Sequence, residues 1–365
     1  MKKLMSCISA FAIVISTVFI SCTKEGPQGE QGIQGEPGLN AQTVEPAVFG
    51  QWEVLEGTFG LENSKYVYIN NDNTITILSE DAMGFKNDYI SNVMVTEDQI
   101  TMNASYYGNT INNYSLENNE LTILSPESTS PIILQKIENG PAPSEWIKSL
   151  NILNEGPAQW EDSDVDIAFD GDYLLGWDKE NSILQIDPNT LSVIGSIPTA
   201  QSAYAIEIEK SDDPSRQFFQ SNNGSSNFYS YTYTSNTLNY TSESIASWIK
   251  GIASIEPGIL WVSSSSDDAL YRYKYDASVP SAEILETIAL DFQPGGMDFR
   301  NGYLYFTNGT LLYKCQTTPE FSVVETYKID GHYISGVTFD GTNFWLTAQE
   351  RGSYTMKIIK TDLTI

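Results

Sequence analysis

Five segments of this 365-residue chain repeat one pattern: an apolar strand, a turn carrying Gly or Asp-Gly, then an aromatic-rich strand. They are VDIAFDGDYLLGWD at 165–178, YAIEIEKS with RQFFQSN within 204–222, GIASIEPGILWVSS at 251–264, GGMDFRNGYLYFTN at 295–308 and SGVTFDGTNFWLTA at 335–348. Aligning Phe169, Ile208, Ile255, Phe299 and Phe339 gives spacings of 39, 47, 44 and 40 residues. A unit of this size cannot bury its own apolar face, so the units must pack against one another.

A third strand follows each repeat: SILQID, NFYSYTYT, ALYRYKYD, LLYKCQT and YTMKIIKTD. A fourth follows the first four repeats, beginning at LSVIGSIP, LNYTSESIA, AEILETIAL and SVVETYKI. Four strands at this spacing make a propeller blade. The fifth repeat reaches Ile365 without its fourth strand, and WIKSLNILN at 146–154 reads as the missing one. Pairing that segment with the last blade closes the ring and removes its open edges. The prediction is a five-bladed β-propeller over 145–365.

The FDG-x-x-[LF] pattern at Phe169-Asp170-Gly171 and Phe339-Asp340-Gly341 resembles propellers of the glutaminyl cyclotransferase, streptogramin lyase and NHL-like type. Where the cyclotransferases carry an FTQGL-like inner-strand motif, this chain reads Asp166-Ile167-Ala168-Phe169 and Gly336-Val337-Thr338-Phe339. No catalytic residue is therefore carried over.

Residues 45–139 are short alternating runs, among them YVYIN at 66–70, TITILS at 74–79 and ELTILS at 120–125. Period-two alternation with Asn71-Asp72-Asn73 and Glu117-Asn118-Asn119 as turns predicts antiparallel β-structure, about eight strands closing a small meander barrel. Gly50-Gln51-Trp52 and the ending from Tyr114 resemble the lipocalin-like domains of Bacteroidetes lipoproteins. That resemblance implies a barrel able to hold a small apolar ligand. The residues themselves point to an interior filled by Trp52, Tyr66 and Tyr68. The fold class is all-β, a lipocalin-like meander barrel followed by a five-bladed propeller.

The N-terminus reads as a sorting signal. Lys2 and Lys3 precede an apolar run from Leu4 to Ile20, short for a spanning helix. Phe19-Ile20-Ser21-Cys22 resembles a bacterial lipobox, which makes 1–21 a lipoprotein signal peptide and Cys22 the lipidated residue. Cys7 would leave with the signal, and Cys315 would then have no partner for an internal disulfide. Thr23-Lys24-Glu25 resembles the surface-export signal of Bacteroidetes lipoproteins, so the expected location is the outer membrane, lipid-anchored and facing outward. Within the linker at 22–44, Gly26, Gly29, Gly32, Gly35 and Gly38 keep a strict period of three. Five Gly-X-Y triplets are a collagen-like run, read here as an extended spacer.

Charge narrows the partners. Lys plus Arg number 19 against 47 Asp plus Glu, a net charge of −28 that repels phosphate backbones and excludes nucleic acid. One histidine and three cysteines exclude His- or Cys-rich zinc sites, and no cofactor is expected.

Candidate site residues fall between the blades. Trp160, Tyr204, Trp248, Phe292 and Tyr333 each lie shortly before their repeat's anchor, which places them on one propeller face. Asp162, Asp164, Lys250 and His332 stand around them, giving a platform for a glycan, peptide or protein ligand. His332 is the one candidate general base, but no G-x-S-x-G elbow accompanies it. Asp162, Asp164 and Asp166 alternate as oxygen ligands for Ca²⁺ would, without the glycine and later glutamate of an EF-hand. The expected function is a membrane-anchored, non-catalytic binding protein; the alternative is a propeller-type lyase or glutaminyl cyclotransferase-like enzyme.

Overall fold

The computed structural model describes residues 46–365 apart from 59–62, 105–107, 125–129, 161–164, 178–181, 200–202, 212, 214–215, 223–224, 236, 243 and 277–278. Cys22, the Gly-X-Y run, Asp162 and Asp164 lie outside the described residues.

Eight antiparallel strands form a closed barrel: Gly50–Glu56, Ser64–Ile69, Thr74–Glu80, Lys86–Val95, Gln99–Ala104, Gly108–Glu117, Glu120–Leu124 and Ile132–Ile137. Closure is visible at Gln51, which pairs with Tyr68 on one side and Ile137 on the other. Asn118 and Asn119 both take positive φ, the two-residue hairpin geometry that matches strand twist, so Glu117 pairs directly with Glu120. The interior is filled by Trp52 together with Val67, Ile69, Ile75, Ile77, Val93, Ile100, Leu121, Ile123 and Leu134. Tyr66 and Tyr68 correct the expectation for that strand. They alternate with Val67 and Ile69 and so point outward, where Tyr66 packs edge-on against Trp146 and the Tyr68 hydroxyl donates to the Pro141 carbonyl.

The remaining strands form five blades. Blade 1 comprises Ala168–Phe169, Leu174–Trp177, Ser182–Ile186 and Val193–Pro198; blade 2, Ala205–Ile208, Gln217–Ser221, Phe228–Thr232 and Thr237–Thr241; blade 3, Ile249–Glu256, Ile259–Ser264, Ala269–Asp276 and Val279–Ala289. Blade 4 holds Met297–Arg300, Tyr303–Thr307, Leu312–Gln316 and Ser322–Lys328; blade 5 holds His332–Phe339, Phe344–Glu350 and Met356–Thr361. Blade 5 takes its outer strand from Ile152–Pro157, which runs antiparallel to Met356–Thr361 with Ile152 opposite Thr361. The segment ahead of it goes elsewhere: Lys148–Ser149 adds parallel to the outer strand of blade 4. The linker thus straddles two blades. Lys148 is fixed there by Glu325, which also accepts from Tyr327 and, at 3.2 Å, from Lys314.

Every outer strand carries a β-bulge at the same register position. The extra residues are Ile194, Asn239, Leu285, Val324 and Leu153. A bulge twists an edge strand and spoils it as a template for further pairing, the ordinary hazard of an exposed blade rim.

Barrel and propeller share a core. Phe85, from the turn between two barrel strands, is 1% exposed. Its ring contacts Phe292, Phe306 and Tyr313 of the propeller at centroid distances of 5.0, 6.0 and 5.0 Å. The Lys328 ammonium meets Asp88 of the barrel at 2.6 Å beside this contact.

Candidate functional site

The propeller axis is filled, and its chemistry is internal. Asp166 is fully buried; its Oδ1 accepts from the N–H of Ile167 and Val337, and its Oδ2 from the N–H of Met297, at 2.9, 3.2 and 3.2 Å. These donors lie on blades 1, 5 and 4. A Cβ on Gly296 would collide with this carboxylate, and one on Gly336 would lie 2.7 Å from the Asp166 Cα, so both glycines are required by close approach. Burial pushes the Asp166 carboxyl well above the usual range, against the pull of the three amides. Asp166 therefore ties strands together inside the ring rather than offering an oxygen ligand to a cation. Among the described residues no three His, Cys, Asp or Glu side chains are grouped to hold a metal.

A second buried cluster lies one layer further along the axis. Lys210 Nζ reaches Asp298 Oδ1 at 2.9 Å and Glu207 Oε1 at 3.4 Å, and it donates to the Phe299 carbonyl. Arg300 Nε and the Phe339 N–H contact Asp298 Oδ2 at 3.1 and 2.9 Å. Burial raises the Glu207 carboxyl to about 7, Lys210 notwithstanding. Both carboxylates are closed off from solvent, Glu207 at 2% and Asp298 at 0% exposure.

The face on which the chain enters each inner strand is different. Here the five inter-blade aromatics separate into two groups. Trp160 is 2% exposed, its indole lying over Gly176, where a side chain would collide with it. Tyr204 is also buried and packs, tilted, against Trp177 at a centroid distance of 5.6 Å. Phe292 sits beneath the barrel's Phe85. These three are packing residues, which corrects the expectation of a five-membered platform. Trp248 and Tyr333 are half exposed, at 48% and 47%. His332, expected on a solvated rim, is instead buried, with Nδ1 3.0 Å from the Asp330 carbonyl.

Trp248 is held in an unfavourable backbone conformation, φ +54°. A bulky residue in this region is an outlier and persists only where its surroundings determine it. The turn after the second strand of blade 3 does so. Ser265 donates to the Trp248 carbonyl from both its N–H (3.1 Å) and its hydroxyl (3.3 Å). Ser264 Oγ donates to the Ser247 carbonyl at 2.5 Å, and Asp267 accepts from the Ser247 N–H at 2.9 Å. Lys250 Nζ lies 5.8 Å from the Trp248 ring and 4.9 Å from that of Tyr204, a cation between two aromatic faces.

Lys250 and Ser265 also line a pocket of about 140 Å³, shared by blades 3, 4 and 5. Its lining combines Ser265, Gln293, Thr307, Asn308 and Ser335 with the apolar Pro294 and Ile334, and among the described residues Lys250 is the one charged side chain in it. The sequence singled out Trp248, Lys250 and Tyr333 but missed the Ser, Gln and Asn residues, because they become neighbours only when three blades meet. Tyr333 completes the face, with the Arg351 guanidinium 5.2 Å over its ring.

No family model and no curated protein matches the chain. Among solved structures it is similar to the glutaminyl cyclase of Myxococcus xanthus, with 10% identity over 59% of this chain and 97% of that one and a TM-score of 0.47. It is also similar to the WD40 β-propeller domain of Doa1, with 8% identity, 87% and 95% coverage and a TM-score of 0.38. At these identities no activity transfers.

Proposed function

We propose that this protein is a lipid-anchored, outward-facing binding protein of the outer membrane, and that the propeller face carrying Trp248 is its ligand-binding surface. The observation that carries the reading is the half-exposed indole, kept at positive φ by hydrogen bonds from the neighbouring turn. Backbone strain maintained at the surface does not serve packing, and such strain collects at ligand-contacting positions. Asp166, Glu207 and Asp298 are buried, so these three carboxylates brace the ring rather than open onto this face. The anchor rests on the apolar run from Leu4 to Ile20 followed by Ser21-Cys22, with Gly26 to Gly38 as spacer.

Two measurements test the reading. Cys22→Ala should stop incorporation of labelled fatty acid and release the protein from the membrane fraction; continued labelling would remove the anchor. Wild-type and Trp248→Ala proteins should then be compared on arrays of immobilised peptides and glycans. Loss of retention in the variant, with an unchanged unfolding curve, is expected. A variant that binds as wild type would end the assignment of the face.

A further inference from the structure

We infer that Lys210 and Asp298 condense into an intramolecular isopeptide bond, with Glu207 carrying the proton, so that blade 2 is joined covalently to blade 4 across the propeller axis.

Placement is the first argument. Lys210 follows the inner strand of blade 2, and Asp298 lies in the inner strand of blade 4, 88 positions later. Lys210 Nζ stands 2.9 Å from Asp298 Oδ1, which brings an amine into contact range of a carboxyl carbon. Two further blades' worth of contacts are not needed to hold it: the Lys210 N–H donates to Ser254 Oγ of blade 3 at 3.2 Å, and Nζ donates to the Phe299 carbonyl beside its target. Nucleophile and electrophile held this way react without the entropic cost of meeting.

Activation is the second. Asp298 Oδ2 accepts from the Phe339 N–H at 2.9 Å and from Arg300 Nε at 3.1 Å. Both donors stabilise the oxyanion of a tetrahedral intermediate and then the amide carbonyl. Glu207 Oε1 lies 3.4 Å from Nζ and accepts from the Ser254 N–H. Burial raises the Glu207 carboxyl to about 7, so near neutral pH it can both take and return a proton.

The step balances without a further reactant. The Lys210 ammonium gives one proton to Asp298 Oδ1, and the neutral amine attacks Asp298 Cγ. Glu207 takes a second proton from the nitrogen and passes it to Oδ1. The Cγ–Oδ1 bond then breaks, one water leaves, and the Nζ–Cγ amide remains with Glu207 unchanged. The product replaces two charges, costly where they are buried, by one neutral group. The Lys210 side chain is 20% exposed, which gives the released water a way out.

The test is mass spectrometry of the full chain, purified folded, then denatured and digested with trypsin. Expected is a branched peptide joining the Lys210 and Asp298 segments, lighter than their sum by one water and uncleaved after Lys210. Lys210→Arg and Glu207→Gln, each checked for a cooperative urea transition, should give the two segments unlinked. Denatured wild type, closed into a loop, should also run faster on a denaturing gel than either variant. Unlinked Lys210 and Asp298 peptides as the main products of folded wild type would overturn the bond, whatever the variants do. A full yield of branched peptide from Glu207→Gln would overturn the role of Glu207.

Discussion

The Asp166 carboxylate and the backbone N–H of Val337 meet at 3.2 Å across the propeller axis, 171 positions apart in the chain. The same side chain takes the N–H of Met297, so one residue of blade 1 satisfies donors on blades 4 and 5. Asp166→Ala would leave three buried amides without an acceptor, at about 1–3 kcal/mol each before relaxation. Asp166→Asn keeps the oxygen that serves Ile167 and Val337 and should cost less than half as much. Urea unfolding of the two variants measures the difference; equal losses would mean that the ionised carboxylate, not its acceptor geometry, holds the ring.

Trp160 and Trp248 should respond oppositely to truncation. Trp160→Ala opens a cavity over Gly176 and should cost about 3–5 kcal/mol. Trp248→Ala should lie within about 0.5 kcal/mol of wild type, as surface substitutions do. Trp248→Gly relieves the left-handed backbone and should raise stability by up to about 1 kcal/mol while abolishing binding. A destabilised Trp248→Gly protein would show that the indole is structural.

Glu207 makes stability depend on pH in a defined direction. Its carboxyl is raised from 4.5 in the unfolded chain to about 7 in the folded one, chiefly by burial. Between these values the folded state binds more protons than the unfolded state, so this group's contribution falls as pH rises from about 4.5 to about 7 and stays low above that. Glu207→Gln should flatten that stretch of the stability profile. Urea midpoints taken at pH steps across the window would show it, and parallel profiles for variant and wild type would dismiss Glu207 as the cause.

Phe85 should couple the two β-structures. Its ring belongs to the barrel's chain but to the propeller's core, so Phe85→Ala should cost about 3–5 kcal/mol. Calorimetry should show one transition for wild type and a separated barrel transition for the variant. A single, uniformly lowered transition would place the coupling in the linker instead.

The blades were legible because period and alternation are local properties, carried by runs such as FDGTNFWLTA. The ring-closing strand followed from counting strands per repeat. What escaped was set by register and by contacts between distant segments. Tyr66 and Tyr68 face outward because the strand's phase puts Val67 and Ile69 inside, and all four residues suit either side. Trp160 and Trp248 occupy similar places in their repeats; a glycine inside a strand, Gly176, was the one available sign that something large lies against it. Lys148 and Ser149 joined blade 4 through Glu325, a partner 177 residues away from Lys148 and invisible to any local pattern. The five outer-strand bulges leave no signature in composition at all, since Leu, Ile, Val and Asn share the position.

The shared fifth blade has a consequence for how the molecule is made. Lys357 and Glu155 pair across it although 202 residues apart, so the early strand exists long before its partner. At about 5–20 residues per second, a ribosome needs roughly 10–40 s to cover that interval. For that time blades 1 to 4 can form in order, but the two ends of the arc stay unpaired. A pause, a nick or a premature stop anywhere before Thr361 leaves an open crescent with two sticky ends, poised to join a neighbouring crescent. Biogenesis, more than the finished ring, is where this protein would depend on a chaperone.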